Sequence, residues 1–149
     1  MSTLPSIEEQ LQTLLALTLD DVITINRDHA ELRIATKEDI AALPAAVDKY
    51  GEVTGEISRW SLIALELRDN AGGVGVSVYL VGYNETKKSN WMTSRILSID
   101  EDTQLLTTHS GSLYRLVGAC TTNVDIPFIC AMLNSWGIGE HLGLPPFFF

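Results

Sequence analysis

Five short apolar runs between residues 60 and 117 decide the fold, and they read WSLIALEL (60–67), VGVSVYLV (74–81), WMTSRILSI (91–99), QLLTT (104–108) and LYRLV (113–117). Each run has the length of a β-strand and is rich in the β-branched, aromatic or other apolar residues that fit a pleated surface. The segments between the runs are rich in Gly, Asp, Asn and Ser, which favour turns. The pattern predicts an antiparallel β-meander of about five strands over residues 57–119.

The segments that flank the meander carry helix signals. Ser6 and Glu9 form a capping-box pattern ahead of an apolar stripe, which predicts a helix over residues 6–20. Thr36 is a candidate N-cap for a second helix, which Pro44 must kink or split. Asp125 precedes an apolar stripe that predicts a C-terminal helix ending near residue 137.

Between the first two helices, residues 22–25 and 31–34 form two β-prone runs and predict a hairpin that extends the meander. The whole chain of 149 residues suits one domain. The sequence therefore predicts a single α+β domain over residues 1–149, with N-terminal helices and a C-terminal helix packed on an antiparallel sheet.

The chain is acidic, with a net charge of −9, and eleven of its nineteen acids lie in residues 1–59. This charge repels phosphate backbones and favours a partner with a basic surface, so we expect no direct nucleic-acid binding. No run approaches the length of a membrane span, and the first residues lack the basic character of a secretory signal. We therefore expect a cytoplasmic protein that does not associate with a membrane.

Few residues have the spacing that catalysis or metal binding requires. Cys120 and Cys130 imply no disulfide framework, and Cys130 lies in an apolar stretch where a thiol is a small buried hydrophobe. No His/Cys cluster has metal-ligand spacing, and the acidic segment over residues 100–102 is typical of a solvated turn. We predict no metal, no cofactor and no assigned catalytic residue.

A second group of residues suggests a ligand site. Four cations and several aromatic residues lie in or beside the later strands, where they suit an anionic, nucleotide-like ligand. The predicted ligand-binding residues are Lys87, Lys88, Trp91, Arg95, His109, Tyr114 and Arg115. The alternative is a solvated hairpin loop whose basic residues protect a strand edge.

His109 and Ser110 raise a third possibility, a small hydrolase. A hydrolase needs a histidine and a nucleophile that converge from separate elements, together with an orienting acid. Adjacent residues on one turn seldom meet this requirement, and the alternative is a hairpin turn in which Gly111 has a positive φ.

The C-terminus is apolar and ends in three phenylalanines. Such a tail packs in its own domain or on a neighbouring subunit, or it remains an exposed patch. We predict a symmetric homo-oligomer with an interface formed by Leu144, Phe147, Phe148 and Phe149.

Three classes of function follow. The first is a non-enzymatic inhibitor, immunity or adaptor protein of bacterial or phage type that blocks a larger partner. The second is a binder of a small anionic ligand, and the third is a hydrolase that uses His109 and Ser110.

Overall fold

The computed structural model describes residues 19, 22–44, 52–121 and 123–138. They belong to two compact units, one of residues 28–124 and one of residues 1–27 and 125–149. The described elements of the first unit are β1 (Ala30–Ile34), α1 (Lys37–Ala41), β2 (Gly55–Arg68), β3 (Val74–Asn84), β4 (Ser89–Asp100), β5 (Leu105–Thr108) and β6 (Leu113–Leu116).

Strands β2 to β6 close into a five-stranded barrel, and β1 pairs with β2 as an extra strand. Consecutive strands are antiparallel, whereas β2 and β6 close the barrel in parallel through residues 55–57 and 114–116. Parallel closure follows from the count, since the first and last of five alternating strands run in the same direction. β2 is long enough to serve both neighbours because it has fourteen residues and bends at an irregularity between Ser58 and Ser61.

The prediction of an α+β fold with an open antiparallel meander is therefore wrong. The five apolar runs do lie in β2 to β6, but the sheet closes on itself and the first unit is mostly β. Alternation within each strand carries no information on whether the first strand meets the last, which is a contact between residues about sixty positions apart. The fold is a mostly-β barrel with one parallel strand pair, and not an α+β fold on an antiparallel sheet.

The flanking elements also differ from the prediction. Residues 22–25 form no strand, and Val22 and Ile23 are fully buried, so their β-branched side chains reflect burial and not pairing. The helix that begins after Thr36 ends at Ala41, and residues 45–50 of the predicted helix lie outside the described residues. The helix predicted over residues 6–20 lies almost entirely outside them too, with only Leu19 described, in a turn.

The barrel interior is filled by side chains from all five of its strands. Its buried cluster consists of Ile57, Leu62, Val78, Leu80, Ile96, Ile99, Leu106, Tyr114 and Leu116. Leu62 of β2 and Leu80 of β3 are register partners, so their side chains lie side by side on the same face of the sheet. Alternate residues of each strand face that same side. The interior is a packed core.

The second unit contains helix α2 (Ile126–Ser135). Asp125 caps it by accepting a hydrogen bond from the Phe128 amide at 3.1 Å, and Pro127 lies in its first turn. The helix and its N-cap lie where the sequence predicted them, and a proline in the first turn is compatible with a helix start. Ile129, Cys130 and Leu133 are its buried residues.

Candidate functional site

A cavity of about 320 Å³ lies between α1, β2, the end of β4 and the segment that follows β6. We call it the Trp60 cleft. Its apolar lining consists of Ile34, Ala35, Ile40, Trp60, Leu62, Ile99 and Leu116. Its polar lining comes from Ser61, Asp100, Glu101, Gln104, Cys120 and Thr121. Because Leu62, Ile99 and Leu116 also belong to the barrel core, part of the cleft wall is the barrel interior itself.

A bulge in β2 positions the Trp60 side chain. Three steps along β2 from Ser58 to Ser61 match two steps along β3, from Tyr83 to Val81. Arg59 lies within this bulge and has a φ of 45°, in the left-handed region that residues other than glycine seldom adopt. Bulges of this kind bend a strand and redirect its side chains.

Hydrogen bonds then hold Trp60 against the segment after β6. The indole Nε1 donates to the Gly118 carbonyl at 3.1 Å, and the Trp60 carbonyl accepts from the Thr121 amide at 2.8 Å. The Ser61 hydroxyl also donates to the Thr121 carbonyl. These bonds tie two walls of the cleft together across about sixty residues of sequence.

The α1 wall is held by a capping box and by an ion-pair network. Asp39 accepts a hydrogen bond from the Thr36 amide at 2.8 Å, and the Thr36 hydroxyl accepts one from the Asp39 amide at 3.2 Å. The Arg33 guanidinium of β1 donates to the same Asp39 carboxylate and to Glu66 of β2, the latter at 3.2 Å. α1 has only five residues, so these contacts, rather than helix length, fix its place beside the cleft.

The network shifts the ionisation of its members. Hydrogen bonding to Arg33 lowers the pKa of Asp39 below its ordinary value. Glu66 accepts from Arg68 and from Arg33, which lowers its pKa too. The carboxylates in turn raise the pKa of Arg33. Both Asp39 and Glu66 are therefore ionised in the folded protein at neutral pH.

We expect the free energy of unfolding to fall as the pH is lowered below about 4.5, the ordinary value for a glutamate. Because the pKa values of Asp39 and Glu66 are lower in the folded protein, their ionisation stabilises the folded state at pH values above the pKa values of the unfolded chain. That contribution is lost as the pH falls through the folded values. Urea unfolding at a series of pH values measures the slope.

The variant Arg33→Met keeps an apolar stem but removes the guanidinium, so its stability should fall less steeply with decreasing pH than that of the wild type. Arg95→Met is the matched control, because Arg95 is exposed and contacts His109, not a carboxylate. An unchanged slope in Arg33→Met would contradict the assignment.

The turn between β4 and β5 supplies the acidic edge of the cleft. Asp100 accepts a hydrogen bond from the Asp102 amide at 3.0 Å, and Glu101 and Asp102 are exposed. A second depression shares Ile40, Ile99, Asp100 and Glu101 with the cleft. Within the described part of the chain, neither Glu101 nor Asp102 is in an ion pair. The apolar cleft is thus bordered by negative charge. Lys37 lines the adjoining depression, but among the described residues no ion pair joins it to Glu101 or Asp102.

The predicted ligand-binding residues fall in separate places. The Trp91 indole donates to the Tyr114 hydroxyl at 3.1 Å, with Tyr114 buried in the barrel core. The Arg95 guanidinium lies 3.3 Å from His109 Nδ1 on the outer surface. Lys87 and Lys88 lie in the turn between β3 and β4, and Arg115 is exposed on β6. Lys88 and Arg95 are about 20 Å apart along β4, and binding of an anionic ligand by this set stays a prediction.

The residues of the His109 turn contact one another as turn residues do. Gly111 has a φ of 90°, as the turn pattern predicted. The Ser110 hydroxyl lies 3.0 Å from the Ser94 hydroxyl, and the His109 ring contacts a guanidinium where a hydrolase would place a carboxylate. A hydrolytic role for His109 and Ser110 stays a prediction.

The two cysteines differ in environment. Both are free thiols; Cys120 is exposed and Cys130 is buried. Burial raises the pKa of the Cys130 thiol to about 11, so it is protonated and unreactive at neutral pH. A search of the described residues finds no group of three or more His, Cys, Asp or Glu side chains placed to hold a metal ion.

Two other predictions concern the C-terminal interface and the membrane. The interface residues Leu144 and Phe147 to Phe149 lie outside the described residues. Among the helices that the described residues form, none has the length and apolar character needed to cross a membrane.

The Trp60 cleft itself was not predicted from the sequence. Its walls come from four segments of the chain, and the only local signal was the tryptophan at the start of an apolar run. The acidic turn was predicted as a turn, but its position beside an apolar cavity depends on barrel closure.

Comparisons with protein-family models, with curated proteins and with solved structures find no match for this chain. Function is therefore inferred from the geometry and charge of the site.

Proposed function

We propose that this chain is a non-enzymatic binding protein whose Trp60 cleft takes an apolar side chain of a larger partner protein, while the acidic turn pairs with basic residues that flank that side chain. The observation that carries the proposal is the juxtaposition of an apolar cavity with carboxylates of the β4–β5 turn that form no ion pair with another described residue. The proposed setting is the cytoplasm, where the exposed Cys120 thiol beside the cleft stays reduced.

The size and lining of the cleft suit a side chain. Its volume of about 320 Å³ lies at the lower end of the range of small-molecule pockets. Trp60 is half-buried and presents an aromatic surface next to aliphatic Ile34 and Ile40, and tryptophan is enriched among the residues that dominate binding energy. An apolar anchor surrounded by polar contacts is the usual anatomy of a protein interface.

The charge of the cleft edge selects the partner. Asp100, Glu101 and Asp102 repel an anionic group, so the cleft does not suit the anionic ligand that the basic residues suggested. A lysine or arginine beside the apolar anchor would instead gain Coulomb attraction. The net charge of −9 adds long-range steering toward a basic surface.

Short peptides test this proposal directly. We expect peptides with a central leucine or phenylalanine flanked by arginines to bind, with an affinity that falls as salt is raised. The same peptides flanked by glutamates should not bind. The change in tryptophan fluorescence or calorimetric titration measures the affinity.

The variant Glu101→Lys should weaken binding of the arginine peptides by about tenfold, because it places a like charge beside them. Glu85→Lys makes the same change of charge in the turn at the opposite end of β4, and it should leave the affinity close to that of the wild type. Equal effects of the two variants would show that net charge, and not the cleft, drives binding. Equal binding of arginine and glutamate peptides would overturn the proposal.

A further inference from the structure

The β2–β3 hairpin extends beyond the point where β3 meets β4. β3 pairs with β2 along the whole hairpin, from Val74 opposite Arg68. Its register with β4 runs only from Tyr79 to Asn84. Among the residues that the structure describes, none forms a strand on the open side of residues 74–77.

The backbone groups of Val74 and Val76 point toward this open side. The Arg68 amide donates to the His29 carbonyl at 2.8 Å, so the polar groups of Arg68 face β1 and not β3. Val74 is the register partner of Arg68. In an antiparallel pair of this kind neither residue bonds the other, so the N–H and C=O of Val74 point away from β2. The bond from the Asp69 amide to the Gly73 carbonyl, at 2.9 Å, shows that the odd-numbered residues face β2. Val74 and Val76 therefore present backbone donors and acceptors that pair with no strand among the described residues.

The open edge lacks the usual protection against pairing. Natural edges carry lysines, prolines or bulges that block a second strand. Residues 70–84 contain no charged residue and no proline, although the chain carries a net charge of −9. Val74 and Val76 are 61% and 41% exposed, and the neighbouring Arg68 and Glu66 neutralise each other at 2.7 Å. The edge itself therefore places no unpaired charge against a second copy of the chain.

We infer that residues 74–77 are a docking edge for the same edge of a second copy, which joins the two sheets in antiparallel fashion across a two-fold axis. With Gly75 opposite Gly75 of the second copy, Val74 lies opposite Val76 and exchanges both backbone hydrogen bonds with it. The same holds for Val76, so four hydrogen bonds form and four valines gather on one face.

Gly75 suits the position on the axis. Its own polar groups face β2, so the two glycines form a non-hydrogen-bonded pair, in which the Cα atoms are only about 4.5 Å apart. The space where a Cβ would stand has no atom within 4 Å in the single chain, and it is open to the second copy. None of the residues that line the Trp60 cleft belongs to this edge.

Sedimentation equilibrium over a range of protein concentrations tests the inference, with the full chain. The wild type should show a monomer–dimer equilibrium. Val76→Pro removes an outward amide without breaking a bond inside the hairpin, and Val76→Lys adds a blocking charge. Both should weaken dimerisation by about tenfold or more while the thermal unfolding of the monomer stays cooperative.

Leu67→Lys is the matched control, because it adds the same charge to another exposed apolar residue of the same hairpin. Leu67 is 50% exposed, and as the register partner of Gly75 it lies on the face opposite to the valines. Its dimer should persist. A wild type that remains monomeric throughout, or a dimer that Val76→Pro and Val76→Lys leave unchanged, overturns the inference.

Cross-linking supplies a positive test that does not depend on loss of binding. In a Cys120→Ser background, Gly75→Cys should form a disulfide-linked dimer on oxidation, because the paired Cα atoms are within disulfide range. Ser77→Cys should not, because two-fold pairing separates the two copies of residue 77 by about 13 Å. Equal cross-linking of both variants would exclude the predicted register.

Discussion

Replacing Gly82 with alanine should lower the free energy of unfolding by about 1–3 kcal/mol, which is the range for an overpacked core. A Cβ at this position would lie 2.6 Å from Ile57 Cγ2, 2.8 Å from the Ser58 carbonyl oxygen and 3.0 Å from the Trp60 Cα. Two of these atoms are backbone, so no side-chain rotation relieves the contact. Gly82 thus permits the close approach of β3 to the bulge that positions Trp60.

Gly75→Ala is the control for this prediction. Gly75 lies on the same strand, and a Cβ there meets nothing within 4 Å. Its replacement should leave stability unchanged or raise it slightly, because alanine reduces the conformational entropy of the unfolded chain. Urea unfolding of both variants, at a concentration where the protein is monomeric, measures the difference. Equal stabilities for the two variants would show that the bulge relaxes around the new methyl group.

Local features of the fold could be predicted from the sequence. Five runs of apolar and β-branched residues gave the positions of β2 to β6, and Gly111 has the positive φ that its turn requires. The N-caps at Thr36 and Asp125 likewise depend on residues at most three positions apart. These features have short-range causes, so the residue pattern contains them.

Barrel closure could not be predicted in the same way. It requires a bend in β2, and the residue that allows the bend, Arg59, has a positive φ that its residue type does not favour. Tertiary contacts stabilise that conformation, among them the stacking of the Arg59 guanidinium over the Tyr83 ring at 5.2 Å. Val22 and Ile23 illustrate the converse, since side chains that favour strands are buried here without strand pairing.

The candidate site shows the same division. Trp91 and Tyr114 were predicted as ligand-binding residues; in the structure their side chains are hydrogen-bonded to each other, with Tyr114 in the buried cluster of the barrel. The Trp60 cleft depends on closure, because Leu116 of the last strand and Leu62 of the first line it together. A site formed by distant segments leaves no spacing in the sequence that identifies it.

Replacing Trp60 with alanine should weaken binding of the arginine-flanked apolar peptides by about 30-fold, which corresponds to the loss of a dominant interface residue. The indole contributes one wall of the cleft, and its loss removes the aromatic contact for both the apolar anchor and an adjacent cation. Trp60→Phe keeps an aromatic ring but loses the hydrogen bond to the Gly118 carbonyl, so it should retain most of the affinity. Calorimetric titration measures all three proteins.

Trp136→Ala controls for the loss of an indole as such, because Trp136 is 37% exposed and belongs to the other compact unit. It should bind the peptides as the wild type does. Circular dichroism and thermal unfolding establish that Trp60→Ala is folded at the temperature of the titration. A folded Trp60→Ala variant with wild-type affinity would move the binding surface away from the cleft. If Trp60→Phe lost as much affinity as Trp60→Ala, the tryptophan would act by holding the segment after β6 in place and not by contacting the partner.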